Sequence, residues 1–186
     1  LSGACENRDA EEERMHVLCT PTTMTARLHY IVFELLLLVD IEADPREAQT
    51  ADASFVIRHA THYVYKRTGA DALLEWLTRV GAPVGIWTHE TRRLARATLR
   101  RVFPKLRTAF VYTRRSSVVH ENVYVKDVRK LGRNSLLVDF NTKQIVYHLE
   151  QGIKVPTLIE PTGDLVKIRN FLRRRLSPQY NPVIVV

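Results

Sequence analysis

The stretch LLLLVDIEAD, Leu35 to Asp44, runs five aliphatic residues into Asp40 and then sets Glu42 and Asp44 at two-residue intervals, with Pro45 next. An apolar run closed by acids and a proline reads as a strand buried on both faces that ends in a polar loop. Carboxylates at the carboxyl end of such a strand stand where open α/β sheets bind ligands. The other reading is that the acids simply end the strand in solvent, and this segment alone leaves both open.

Outward from this run the pattern alternates. Apolar segments at 30–39, 84–87, 109–112, 136–139 and 155–159 read as strands. A helix over 71–80 carries Leu73, Leu74, Leu77 and Val80 on one side and stops at Gly81. A second, over 90–102, places Leu94, Ala95, Thr98, Leu99 and Val102 on one arc and Arg92, Arg93, Arg96, Arg100 and Arg101 on the opposite arc. A last helix, over 164–176, ends in Arg173, Arg174 and Arg175, which suits the negative end of a helix dipole as well as a phosphate backbone. The expected class is α/β with a mostly parallel central sheet. Residues 1–27 read as a polar extension, 28–176 as the folded domain and 177–186 as a short tail. The start LSGACENRDA reads as a processed or trimmed end, where a targeting peptide is unreadable.

Composition narrows the partners. The chain of 186 residues has 28 Lys and Arg against 20 Asp and Glu, a formal charge of +8, which favours a polyanionic partner such as RNA. Cys5 and Cys19 alone provide neither a disulfide framework nor a zinc-type pair. The longest apolar run, Ile31 to Val39, is interrupted by Glu34 and falls far short of the ~20 residues that span a bilayer. His89, His120 and His148 are too dispersed to argue a metal site.

Acids at strand ends call for a test of phosphoryl chemistry. An aspartyl nucleophile needs a second acid to protonate the leaving oxygen, a hydroxyl and a cation to hold the phosphoryl group, and Mg²⁺ to reduce repulsion. Asp40, Glu42, Thr88, Lys126 and Asp139 supply candidates in chain order. Each also has a structural reading: Thr88 as a helix N-cap, Lys126 as a partner of Asp127 or Glu121, Asp139 as a loop cap.

As an ordered set, HYVYKRTGADALLEWL, VGIWTHETRRLARATL, HENVYVKDVRKLGRN and SLLVDFNTKQIVYH resemble the C-terminal-domain phosphatase, or NLI-interacting-factor-like, branch of the haloacid dehalogenase superfamily. The resemblance covers about residues 30–174 and implies a Rossmann-like three-layer sandwich. The family's first motif is Asp-x-Asp-x-Thr after an apolar strand. With VDIEAD in its place, Asp40 matches the nucleophile, Glu42 the acid/base and Asp44 the threonine. Thr88 matches the second-motif hydroxyl, and Lys126 the phosphate-binding lysine. Asp139 matches the fourth-motif metal ligand, but Phe140 stands where the family has a second, metal-reaching Asp or Asn.

The resemblance with these departures implies a vestigial or impaired site with no cofactor, or Mg²⁺ held by Asp40 and Asp139 if the enzyme is active. Family members with eroded motifs include the receptor subunit of the mitochondrial presequence translocase. The expected function is therefore a non-catalytic binding module in a ribonucleoprotein, as a mitochondrial ribosome component or assembly factor in the matrix. The named arginines would face ribosomal RNA. An active Mg²⁺-dependent phosphoprotein phosphatase and a protein-translocase subunit are the alternatives, with nucleus or cytoplasm as alternative compartments.

Overall fold

The computed structural model describes residues 30–46, 49–132, 134–145, 152–154 and 164–176. In chain order these form β1 (Ile31–Phe33), a 3-10 turn (Leu35–Leu37), β2 (Val39–Glu42), β3 (Ala53–Ile57), β4 (Ala60–Lys66) and α1 (Ala70–Arg79). Then come β5 (Val84–Trp87), α2 (Arg92–Val102), β6 (Thr108–Tyr112), β7 (Val118–His120), β8 (Val123–Val125) and β9 (Leu136–Asp139), followed by α3 (Thr142–Ile145), β10 (Gly152–Lys154) and α4 (Asp164–Arg175). Short 3-10 turns at Arg114–Ser116 and Val128–Leu131 complete the set.

Five parallel strands, in the order β10-β9-β1-β5-β6, make the central sheet, as the α/β reading requires. Alternate residues face opposite sides. Ile31, Phe33, Val84, Ile86, Leu136 and Val138 join the larger core, with Leu73 and Leu77 of α1, Leu94 and Leu99 of α2, and Leu165, Ile168 and Leu172 of α4. Val32, Trp87 and Leu137 face the other way, onto Val128 and the half-buried Tyr30, Phe110, Tyr112 and Leu131.

The strand expected over 30–39 is corrected to two elements in two sheets. β1 ends at Phe33, and the next turn closes through Leu37 N–H to the Glu34 carbonyl at 3.1 Å and Leu38 N–H to the Leu35 carbonyl at 2.9 Å. The chain then enters β2, which pairs antiparallel with β4 in a separate sheet ordered β2-β4-β3. The leucines do not require one strand, because Leu35, Leu37 and Leu38 are all fully buried within the turn. An apolar run surrounded by protein on every side carries no period.

Helix α2 keeps its expected apolar arc but begins at Arg92, after Thr91, whose hydroxyl accepts from Leu94 N–H at 3.3 Å. Thr88 is therefore not its N-cap. The strand expected at 155–159 and the segments 1–27 and 177–186 lie outside the described residues, while β10 pairs with β9. The β3-β4 and β7-β8 hairpins turn through Arg58-His59 and Glu121-Asn122, all at positive φ.

Candidate functional site

Three adjacent central strands, β9, β1 and β5, deliver side chains to one point at their carboxyl ends. Glu34 follows β1, Asp139 ends β9 and Thr88 follows β5, while Lys126 arrives from the loop after β8. The Thr88 hydroxyl donates to Glu34 Oε1 at 2.5 Å. Lys126 Nζ donates to Glu34 Oε2 and, at 2.7 Å, to Asp139 Oδ2. Asp139 Oδ1 accepts from Asn141 N–H at 2.8 Å. All four side chains are buried, Lys126 and Thr88 completely.

Gln144 fixes the lysine's approach. Its carbonyl oxygen accepts from Lys126 N–H at 3.2 Å, and its amide donates to the Tyr124 carbonyl at 2.7 Å. Two carboxylates around one ammonium in a buried setting hold together only because their remaining oxygens have donors. Burial pushes the Asp139 carboxyl above the usual range, with Lys126 opposing. The cavity beside the cluster is about 100 Å³ and is lined by Glu34, Leu36, His89, Glu90, Phe140 and Asn141 among others. That is well below the ~300 Å³ at which ligand pockets begin.

Asp40 and Glu42 are elsewhere, and their expected place in this cluster is corrected. Asp40 pairs with Arg67 and, at 3.0 Å, with Arg46, and Glu42 accepts from Arg46 Nε at 2.8 Å. The Arg46 guanidinium lies 4.4 Å from the Tyr65 ring centroid, and its backbone N–H donates to the Tyr65 hydroxyl at 2.6 Å. Both acids belong to a network that ties the loop after β2 to β4. Asp44 is exposed in that loop.

Glu34 takes the position first assigned to Asp40. It is the carboxylate that follows the central apolar strand, so Leu36 stands where the acid/base Asp is expected and Leu38 where the Thr is expected. Its signal in the sequence was a single charge inside the apolar run Ile31–Val39. Such a charge must be paired when buried.

The described residues do not fit Mg²⁺. Lys126 lies between the two carboxylates that would hold the ion, Phe140 offers carbon at the next ligand position, and no group of three metal-binding side chains occurs among the described residues.

His89 extends the site's chemistry toward acid pH. Its Nε2 is buried with no hydrogen-bond partner, and burial, then the Lys126 charge, holds its pKa below the ordinary 6.5. As pH falls below about 6.5 the unfolded chain binds this proton first, so stability is lost on acidification. His89→Asn should flatten that loss between about pH 7.5 and 5.5 in urea midpoints. The difference from the parent isolates His89 from Asp139, whose raised pKa acts oppositely, costing stability as pH rises.

The arginines of α2 are all exposed, and no ion pair between Arg92, Arg93, Arg96 or Arg100 and an acid occurs among the described residues. The Arg101 guanidinium lies 4.8 Å from the Phe55 ring centroid. Arg173 and Arg174 are exposed at the end of α4, with Arg175 half-buried. The two sets are on different elements, and neither joins the buried cluster.

The family described as NLI interacting factor-like phosphatase matches residues 34–183, beginning at Glu34 itself. The chain belongs to this phosphatase family. No curated protein matches it. Glu34, the first matched residue, directly follows β1. No described helix is long and apolar enough to cross a membrane.

Proposed function

We propose that this member of the phosphatase family is non-catalytic and serves as a binding module in a ribonucleoprotein. The observation that carries the reading is the state of Glu34. Its two oxygens are taken by Thr88 and Lys126, and the side chain two residues on, Leu36, has no proton to give. Glu is one methylene longer than Asp, and a displacement of about 1 Å can cost roughly 10² in rate. A missing general acid costs a further ~10²–10⁴. Together these would reduce turnover by roughly 10⁴–10⁶.

The partner proposed is ribosomal RNA together with ribosomal proteins. The net charge of +8 and the arginine face of α2 support it. Arginine's planar fork suits phosphate, and a face with no exposed large apolar side chain suits neither a protein-interface core nor insertion among lipids. The compartment proposed, the mitochondrial matrix, follows from the mitochondrial-ribosome reading, which rests on the basic charge.

The metal test is thermal. A protein that binds Mg²⁺ at a hundred times its dissociation constant gains ~2.7 kcal/mol. Millimolar Mg²⁺ against EDTA should leave this protein's melting midpoint unchanged, and a clear upward shift abolished in Asp139→Asn would count against the reading. Affinity purification of the full chain should recover ribosomal RNA and proteins, and recovery of a membrane translocase instead would reject the ribonucleoprotein part.

A further inference from the structure

The sheet face opposite α1, α2 and α4 carries a second, unassigned surface. Phe110 and Tyr112 of β6 stack at 4.4 Å between centroids and 28° between planes. Tyr30 meets Phe110 edge-on at 5.2 Å, and Trp87 meets Tyr112 edge-on at 5.3 Å. Tyr30, Phe110 and Tyr112 are only half-buried, while Trp87 is buried beneath them. Gly85 makes the arrangement possible, because a Cβ there would come within 2.2 Å of the Phe110 ring. The ring therefore lies across the neighbouring strand.

Charge precedes and follows the strand that carries Phe110 and Tyr112. From Pro104 to Val119 the chain has four cations, Lys105, Arg107, Arg114 and Arg115, and no acid. All four are exposed, and they bracket β6 before and after it, at one edge of the described sheet. Half-buried rings on a strand bracketed by cations, with Arg114 also 5.3 Å from the Tyr124 ring centroid, suit unpaired nucleobases joined by phosphates. Bases stack on the rings, and the backbone runs between the cations. A protein partner wants an apolar centre depleted in charge, and a duplex hides its base faces.

We infer that the Tyr30–Phe110–Tyr112 surface is a stacking platform for single-stranded RNA, separate from the phosphate-facing arginines of α2. The inference rests on the ribonucleoprotein reading and adds to it the ligand's form and a second contact. β6 spans five residues, about 17 Å at ~3.3 Å per residue, so the platform takes a few nucleotides.

The test uses the full chain and fluorescence anisotropy with a uridine-rich single strand of about 12 nucleotides and a duplex of equal length. The variant F110L/Y112L keeps apolar bulk but removes both π faces. It should weaken single-strand binding by about 10–100-fold with duplex binding unchanged, the fold being retained at a somewhat lower melting midpoint because both rings also pack on Val32, Trp87 and Leu137. Tyr112→Phe should bind as the parent does, and ultraviolet crosslinking should map the bound base to the peptide holding Phe110 and Tyr112. Unchanged single-strand affinity in F110L/Y112L, as expected if residues 1–29 or a protein cover these rings, would overturn the platform. If such RNA binding still requires the α2 arginines, the ribonucleoprotein reading stands. If the parent chain binds neither RNA, both fall.

Discussion

Lys126→Met should destabilise the fold by about 3–5 kcal/mol, because it leaves the Glu34 and Asp139 carboxylates buried without their shared cation. Lys126 and Asp139 are each 1% exposed at the side chain and Glu34 6%, so water cannot compensate. Urea unfolding followed by circular dichroism reads the loss directly. The triple variant K126M/E34L/D139L should recover much of it, since apolar replacement of a whole buried ion cluster is often neutral or stabilising. If Lys126→Met alone unfolds at the parent midpoint, the cluster does not hold the carboxyl ends of β1 and β9 together.

Reversing Arg92, Arg93, Arg96 and Arg100 to Glu should lower affinity for RNA by roughly 10²–10³ at 0.1 M salt. Four phosphate contacts on a single strand release counterions with a slope of about 0.7 each, so the log–log salt slope should fall by about 3. The helix itself should survive, because all four side chains are exposed and the apolar arc is untouched. Arg101→Glu is left out of the set because Arg101 also packs over Phe55, and its loss would mix binding with packing. A parent-like affinity and slope in the quadruple variant would remove α2 from the proposed RNA contact.

The residues differ in how far they could be read in advance. Helix α2 was legible because its period is strict: every buried position fell on the expected arc. Thr88 and Asp139 were legible as polar residues at the ends of short apolar runs, and the structure brings both to Lys126 or to Glu34. Glu34 was hidden by the leucines after it. Four aliphatic residues continue the hydrophobic pattern past the true end of β1, and a pattern with no polar alternation cannot show where a strand becomes a turn.

The acids beyond, Asp40 and Glu42, then drew the motif six residues too far along the chain. They answer instead to Arg46 and Arg67, partners that no local spacing identifies for Arg67, which lies across the sheet. The two hairpins were missed for a different reason. Their turns use positive φ at Arg58, His59, Glu121 and Asn122, without the glycine that usually marks such turns. The aromatic platform depends on Gly85 lying beneath Phe110, a pairing between strands that becomes visible only in register.

With Asp40 as nucleophile, the site would have carried extra acids and an exposed opening. With Glu34, the same positions become Leu36 and Leu38, the carboxylate is closed off by Thr88 and Lys126, and the carboxyl ends of β9, β1 and β5 hold a buried ionic clasp.

The most direct test of the central claim is hydrolysis of an aryl phosphate by the purified full chain with Mg²⁺, compared with Glu34→Gln. The account predicts that any Mg²⁺-dependent rate lies at least ~10⁴-fold below that of an ordinary phosphatase and is the same in both proteins. Mg²⁺-dependent turnover by the parent that disappears in Glu34→Gln would contradict it.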